Sequence, residues 1–312
     1  MTESSGMPVL AVDLGGTNVR AALVHRGAVK VQSRLRTPAR EGAEAVIEAV
    51  LEALSRIEHG PVAGIGIASA GVVDRGSGRI LAATDLIKGW AGTHLAEAVS
   101  GELALPVRVI NDVHAHALGE WHHGAGRGAR SLLLVAAGTG LGGAMILDGR
   151  LVEGANHVAG HLGHVPCPQA EGLQCSCGAT GHLESVASGS GLEALHRHLC
   201  PGAAPASARE LTQRASSDPE ARHSVTTSGR ALGEAIGGWC NLLDPERIVV
   251  TGGLSHAGDV WWQSLREGHR ASALASVRHT PVVAAKHADD AALLGAATLF
   301  TDPIPNHGAH HE

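Results

Sequence analysis

Short apolar runs and one long helical stripe alternate along the first third of the chain. Val9 to Val12 is an apolar run ending in Asp13 and a Gly-Gly turn, and Val19 to Val24 resumes the pattern, which predicts a hairpin with its chemistry on the turn. From Glu41 to Ile57 the apolar positions Val46, Ile47, Val50, Leu51, Leu54 and Ile57 recur at helical spacing. This predicts an amphipathic core helix stopped by Gly60-Pro61. Val62 to Ala68 and Val107 to Ile110 read as buried strands with polar or glycine-rich exits, Ser69-Ala70-Gly71 and Asn111-Asp112. Strand exits are where α/β proteins place their sites. A helix is expected from Asp112 to about Trp121, and the glycine-rich segment 124–130 is a candidate hinge into a second domain.

The pattern then repeats. Leu132 to Ala136 runs into Ala137-Gly138-Thr139-Gly140-Leu141-Gly142-Gly143, an echo of Val9 to Gly16. After a helix-like stretch from Ser224 to Leu243, Arg247 to Val250 leads into Thr251-Gly252-Gly253. Glycines let backbone N–H groups approach a phosphate closely, so three strand-then-glycine turns suggest a phosphate-binding cleft between two related lobes. The tail Pro303–Glu312 is expected to be disordered, with solvated histidines.

Composition narrows the classes. With 312 residues, 44% hydrophobic and 17% charged, the chain can bury a sizeable core in about two domains, and global disorder is excluded. The formal charge is −6, and no Lys/Arg run makes a phosphate-tracking patch. The lack of Tyr and the single Phe remove the stacking platform of single-strand binders, so nucleic acid is not an expected partner. The N-terminus lacks the basic start and apolar run of a signal peptide, and the longest apolar tract, Leu132 to Leu147, is short and broken by Gly. No membrane association and a cytoplasmic location are expected. Of five cysteines, Cys167, Cys175 and Cys177 crowd one window while Cys200 and Cys240 stand apart, which suggests metal more than disulfide.

Asp13-Leu14-Gly15-Gly16-Thr17-Asn18, Gly138-Thr139-Gly140 and Thr251-Gly252-Gly253 together resemble the phosphate-1, phosphate-2 and adenosine elements of the actin-like ATPase/sugar kinase superfamily. No Walker A pattern or protein-kinase glycine loop competes with them. Gly160-His161-Leu162-Gly163-His164, followed by Cys175-Ser176-Cys177-Gly178-Ala179-Thr180-Gly181-His182-Leu183-Glu184, is similar to ROK-family sugar kinases over nearly the whole chain. The resemblance implies a two-lobed α/β, ribonuclease H-like fold with the active site in the interdomain cleft. The expected N-terminal lobe is 1–122, the C-terminal lobe 123–302, and the helix near 290–302 packs back on the first lobe. Lobe closure excludes water in such enzymes, with 124–128 as one hinge. ROK repressors carry an extra N-terminal helix-turn-helix module; with the phosphate-1 turn beginning at Asp13, no such module is expected here. ROK proteins are commonly dimers or tetramers, so a homodimer or homotetramer is a further expectation.

His164, Cys175, Cys177 and His182 supply four imidazole or thiolate ligands in a short loop, as a closed tetrahedral Zn²⁺ site requires. ROK proteins use a histidine and three cysteines, so His182 stands where the last cysteine is usual and Cys167 is a nearby substitute. A metal-free loop held by packing is the alternative. The expected role is structural, with Mg²⁺ and ATP serving the chemistry; some ROK relatives accept polyphosphate as phosphoryl donor, which is the alternative to ATP.

Phosphorylating a sugar hydroxyl needs a carboxylate in reach of the attacking O–H. Asp112 resembles the general base of ROK kinases, and Asp13 the residue that assists the Mg²⁺-nucleotide; capping of the next helix is the alternative for Asn111-Asp112. The resemblance maps Asn111, Asp112, His164 and Glu184 onto sugar-hydroxyl positions. His161 departs from the glutamate of glucose-phosphorylating members, which accepts two hydroxyl hydrogen bonds, something a histidine cannot copy. The strings around His161, Ile67-Ala68-Ser69-Ala70-Gly71-Val72 and Glu184-Ser185-Val186-Ala187-Ser188-Gly189 are instead similar to N-acetylmannosamine kinases. A buried structural histidine is the alternative at 161. The expectation is ATP-dependent phosphorylation of the N-acetylmannosamine C6 hydroxyl, with a glucokinase or broad hexokinase second and a non-catalytic sugar sensor third. A zinc hydrolase is excluded because the ligand set reads as filled, with no general base beside it.

Overall fold

The structure, a computed structural model, describes residues 6–287 and 289–301; the tail expected to be disordered lies outside them. The chain divides into two units, one taking 6–123 with 289–301 and the other 124–287 among the described residues.

The first unit opens with β1 (Val9–Leu14), β2 (Asn18–His25) and β3 (Ala28–Arg36), an antiparallel meander. Strand β1 runs past the predicted apolar run to include Asp13 and Leu14, because they pair with Arg20 and Val19 of β2. Helix α1 (Ala43–Ser55) follows. Its Val46, Val50 and Leu54 are buried, while Ile47 and Leu51 lie half-buried at the edge of the stripe. They pack with Leu10, Val12 and Leu14, so burial of one strand face against the helix holds this layer together. Next come β4 (Ile65–Ser69), β5 (Val72–Asp74), β6 (Arg79–Ala82), α2 (Leu95–Leu103), β7 (Val107–Asn111) and α3 (Asp112–His123). The predicted strand from Val62 begins only at Ile65, since 62–64 is a lead-in whose Ala63 N–H and Gly64 carbonyl bond to the start of β1. The main sheet has the order β3-β2-β1-β4-β7, with β4 parallel to both β1 and β7.

The second unit repeats that plan. Strands β8 (Leu132–Ala137), β9 (Leu141–Leu147) and β10 (Arg150–Val152) form its meander, and a long loop with two 3₁₀ turns leads to α4 (Glu184–Ala187), α5 (Gly189–Leu199), α6 (Ala208–Arg214) and α7 (Pro219–Leu243). Helix α7 is opened by Asp218, which accepts from the Glu220 and Ala221 N–H groups, with Pro219 in the first turn. Strand β11 (Arg247–Thr251), α8 (Asp259–Ser272) and β12 (Val282–Ala284) complete the order β10-β9-β8-β11-β12. The two sheets therefore match strand for strand. That match corrects one sequence grouping: Gly138-Thr139-Gly140 sits on a hairpin like the Asp13 turn, whereas Thr251-Gly252-Gly253 leaves the fourth strand of its sheet, the counterpart of Ser69-Ala70-Gly71 after β4.

Helix α9 (Ala291–Thr301) returns to the first unit, packing on β1, β4 and α3. It is apolar all round, with Leu293, Leu294 and Leu299 buried, as befits an interior helix. No described helix is long and apolar enough to cross a membrane.

Candidate active site

In the first unit, Asn111 ends β7 and Asp112 begins α3. The capping role falls on Asn111, whose Oδ1 accepts from the N–H groups of Val113 (3.0 Å) and His114 (3.1 Å). Its amide donates to the Gly71 carbonyl and to Asp112 Oδ1, both at 2.9 Å, tying the β4 exit to the β7 exit. Asp112 Oδ1 also accepts from Val113 N–H at 2.9 Å, so among the described residues its hydrogen bonds all fall on one oxygen. Burial pushes the Asp112 carboxyl above its usual range; His116 and the Val113 N–H oppose this, and the Asp13 charge adds to it. A carboxylate with a raised proton affinity and one open oxygen suits a general base.

Asp13, on the same sheet, is also pushed up by burial, against the pull of His116 and Arg20. Arg20 Nη1 stands 3.8 Å from Asp13 Oδ2, and its guanidinium also bonds the Asp290 carboxylate and the Asp289 carbonyl ahead of α9. The phosphate-1 turn is closed by Gly15 N–H on the Asn18 carbonyl (3.1 Å) and laced from outside by Thr37, which donates to the carbonyls of Gly15 (Oγ1, 2.7 Å) and Thr17 (N–H, 3.0 Å). Arg34 Nε holds the Asn18 side-chain oxygen at 3.1 Å. The loop from Asp85 is anchored by Trp90, whose indole N–H donates to the Ala70 carbonyl at 3.1 Å, and Leu86 packs against Gly16.

In the second unit a pocket of about 760 Å³ is lined by Gly138, Thr139, Gly189, Ser190, Gly253 and His256, with Ser207, Arg209 and Thr212 beside α6. Gly189 N–H donates to the Gly138 carbonyl at 2.7 Å and Ser190 N–H to the Thr139 carbonyl at 3.3 Å, so the hairpin turn meets the N-terminus of α5. Glycine N–H groups and the positive end of a helix favour phosphates, and the volume lies in the small-ligand range. Gly252 adopts φ +87°, and a Cβ there would stand 2.5 Å from the Ala137 carbonyl group, so the β8–β11 approach admits only glycine.

The metal cluster forms in the same unit. The ligand atoms of His164, Cys175, Cys177 and His182 all lie within 4.8 Å of one another. His164 Nδ1 is 3.5 Å from Cys175 Sγ, and His182 Nδ1 is 3.3 Å from Cys177 Sγ. A tetrahedral Zn²⁺ with Zn–S near 2.3 Å and Zn–N near 2.0 Å has an S–N edge of about 3.5 Å, which both of these S–N pairs match. Cys167 lies outside this group of four: it is buried and its thiol donates to Gln169 Oε1 at 3.1 Å. Glu184 links this loop to the phosphate-2 turn, accepting from Leu141 N–H (2.9 Å), Ser176 Oγ and Cys175 Sγ (3.5 Å). Burial raises its proton affinity, but these bonds and His164 outweigh that and hold the carboxyl below its usual range. His161 is exposed rather than a buried structural histidine; its Nδ1 lies 2.9 Å from the Val158 carbonyl and its ring stacks on His164 at 6.1 Å.

Sequence reasoning missed Arg20, His116 and the α5–α6 wall of the pocket. The first two had a signal: Arg20 is the residue opposite Asp13 in the hairpin, and His116 lies one helical turn after Asp112, where its Nδ1 approaches the Asp112 carbonyl at 3.0 Å. The wall had none, because its polar residues follow no motif.

Residues 9–303 match the model of the ROK family. The chain is 33% identical over 288 residues to a glucokinase of Halalkalibacterium halodurans, covering 86% of this chain and 87% of that one. It is 32% identical over 301 residues to an N-acetylmannosamine kinase of Salmonella heidelberg, covering 94% and 98%. A ROK-family glucokinase from Streptomyces griseus, solved with glucose and AMPPNP, superposes with a TM-score of 0.79 at 30% identity, covering 94% of this chain and 98% of that one. With two matched sheets, the Asp13 and Gly138 turns and the Asn111-Asp112 pair in place, the chain belongs to the ROK family and has the actin-like ATPase fold of its sugar kinases.

Proposed function

We propose that this chain is an ATP-dependent kinase that transfers the γ-phosphoryl group to the C6 hydroxyl of N-acetylmannosamine. Asp112 takes the proton of the hydroxyl as its oxygen attacks phosphorus, and the bond from phosphorus to the departing ADP oxygen breaks. The Gly15–Asn18 turn and the Gly138 pocket cradle phosphates and nucleoside. Asp13 assists the nucleotide-bound Mg²⁺, which would neutralise the phosphate charge. Zn²⁺ held by His164, Cys175, Cys177 and His182 would fix the loop that carries His161 and Glu184. Asn111, His161, His164 and Glu184 contact the sugar.

One observation carries the choice of sugar. The Val158 carbonyl only accepts, so a neutral His161 imidazole carries its proton on Nδ1 and offers Nε2 as a single acceptor. A single acceptor suits one amide N–H, such as that of a C2 acetamido group, and not the pair of hydroxyls that a carboxylate takes. The relatives named glucokinase favour a second reading, glucose as acceptor. A His161→Glu variant separates the two: selectivity for N-acetylmannosamine over glucose falls at least about tenfold if His161 reads the amide, and an unchanged ratio removes the argument.

A further inference from the structure

Glu184 stands where four segments of the second unit meet, and three of them reach it with a glycine. A Cβ on Gly140, in the phosphate-2 turn, would lie 2.8 Å from Glu184 Oε2. One on Gly163, in the loop that carries His161 and His164, would lie 3.1 Å from Glu184 Cβ and 2.4 Å from the Leu141 carbonyl oxygen. One on Gly191, in the first turn of α5, would lie 2.1 Å from the Glu184 carbonyl oxygen. Packing this close has no slack, so a shift of one segment is felt by the others.

The two carboxylate oxygens face different elements. Oε2 accepts from the N–H of Leu141, the first residue of β9 after the Gly138-Thr139-Gly140 turn, at 2.9 Å; Oε1 accepts from Ser176 Oγ and Cys175 Sγ of the metal-ligand loop. The main-chain carbonyl of Glu184 accepts from Ser188 Oγ at 2.8 Å, and that hydroxyl oxygen accepts from Gly191 N–H at 2.9 Å as the cap of α5. The start of α5 in turn holds the Gly138 and Thr139 carbonyls. Both sides of the phosphate-2 turn are thus tied to Glu184, although Glu184 lies outside the lining of the 760 Å³ pocket. A carboxylate is a rigid planar group, so a sugar hydroxyl donating to Oε1 also fixes the direction of Oε2. Fixing it before nucleotide arrives removes part of the cost of ordering the turn, and thermodynamic linkage makes the effect reciprocal. We infer that Glu184 is a positioning residue for the phosphate-2 turn as well as a sugar contact, and that through it sugar and nucleotide bind with positive cooperativity. This rests on reading the Gly138 pocket as the nucleotide site and Glu184 as a sugar contact.

The test is calorimetric titration of the full chain with Mg-AMPPNP, with and without saturating N-acetylmannosamine or glucose, zinc content being checked in every variant. In the parent chain the sugar tightens AMPPNP binding at least about fivefold, and AMPPNP tightens the sugar by the same factor. Glu184→Ala weakens AMPPNP about tenfold with no sugar present, an effect that a residue touching only the sugar does not have. Glu184→Gln keeps one acceptor oxygen, which serves Leu141 or the sugar but not both, so it recovers most of the AMPPNP affinity while the cooperativity factor stays near one. Gly140→Ala, whose methyl group presses on Oε2, weakens the sugar about threefold with no nucleotide present. A parent factor of one, or AMPPNP affinity unchanged in Glu184→Ala, overturns the inference and leaves the kinase reading, tested by loss of turnover in Asp112→Asn, in place. A parent chain that binds no AMPPNP, or neither sugar, overturns both.

Discussion

At the scale of single residues, the proposed phosphoryl transfer turns on Asp112. Its open oxygen and raised proton affinity are produced by burial between β7 and α3, with Asn111 taking over the helix cap. Asp112→Asn keeps the hydrogen bonds on Oδ1 but removes the base, so kcat falls by about 10²–10⁴-fold with little change in sugar KM, measured by coupled ADP release. The pH dependence has a definite sign. The base acts deprotonated, so the acid limb of kcat/KM lies above the pH of about 4 expected of an ordinary carboxylate. Raised folded-state proton affinity also means that Asp112 favours folding at low pH, and that this contribution is lost as pH rises through its folded pKa. Asp112→Asn is therefore more stable than the parent chain at pH 7 in urea unfolding, with the gap narrowing on acidification. The strand exit made Asp112 a candidate and its resemblance to the ROK Asn-Asp pair made it the expected base, but neither displayed its tuning. His116 and Arg20 act across a helical turn and a strand pair, and such neighbours become legible only once register is known.

At the scale of elements, the loop from His161 to Glu184 contains two short 3₁₀ turns and two isolated bridges, Pro166 with His182 and Gln174 with Thr180. So little regular structure makes a bound metal a large part of its stability. Zinc analysis of the purified chain finds one ion; Cys177→Ser and His182→Ala lose it, and Cys167→Ser keeps it. Chelation lowers the unfolding temperature of the parent chain by several degrees. Retention of zinc by His182→Ala, or its loss from Cys167→Ser, contradicts the ligand set. The sequence displayed this candidate site because its donor residues are local and of rare types. It did not display the wall formed by α5 and α6, whose Ser190, Ser207 and Thr212 are ordinary surface residues until the hairpin turn at Gly138 is packed against them.

At the scale of the whole molecule, the chain contains one sheet plan twice, and the first copy is completed only by α9 from the far end of the sequence. Burying Leu293, Leu294 and Leu299 is worth about 2–5 kcal/mol each by the usual cost of truncating such residues, comparable in sum to the net stability of a domain. Removing residues 289–312 leaves the second unit folded and the first unfolded, read as a loss of amide protection confined to 6–123. Fold class was legible because strand-then-glycine patterns repeat. The equivalence of the Ser69 and Thr251 exits was not, because it depends on sheet order and no residue pattern encodes that order directly. The proposed function makes of these parts a kinase selective for an acetamido sugar. Its most direct measurement is ADP release with Mg-ATP across N-acetylmannosamine, glucose, N-acetylglucosamine, mannose and fructose, beside Asp112→Asn. Preference for N-acetylmannosamine that vanishes in the variant is the predicted result; preference for glucose, or sugar binding without turnover, contradicts it.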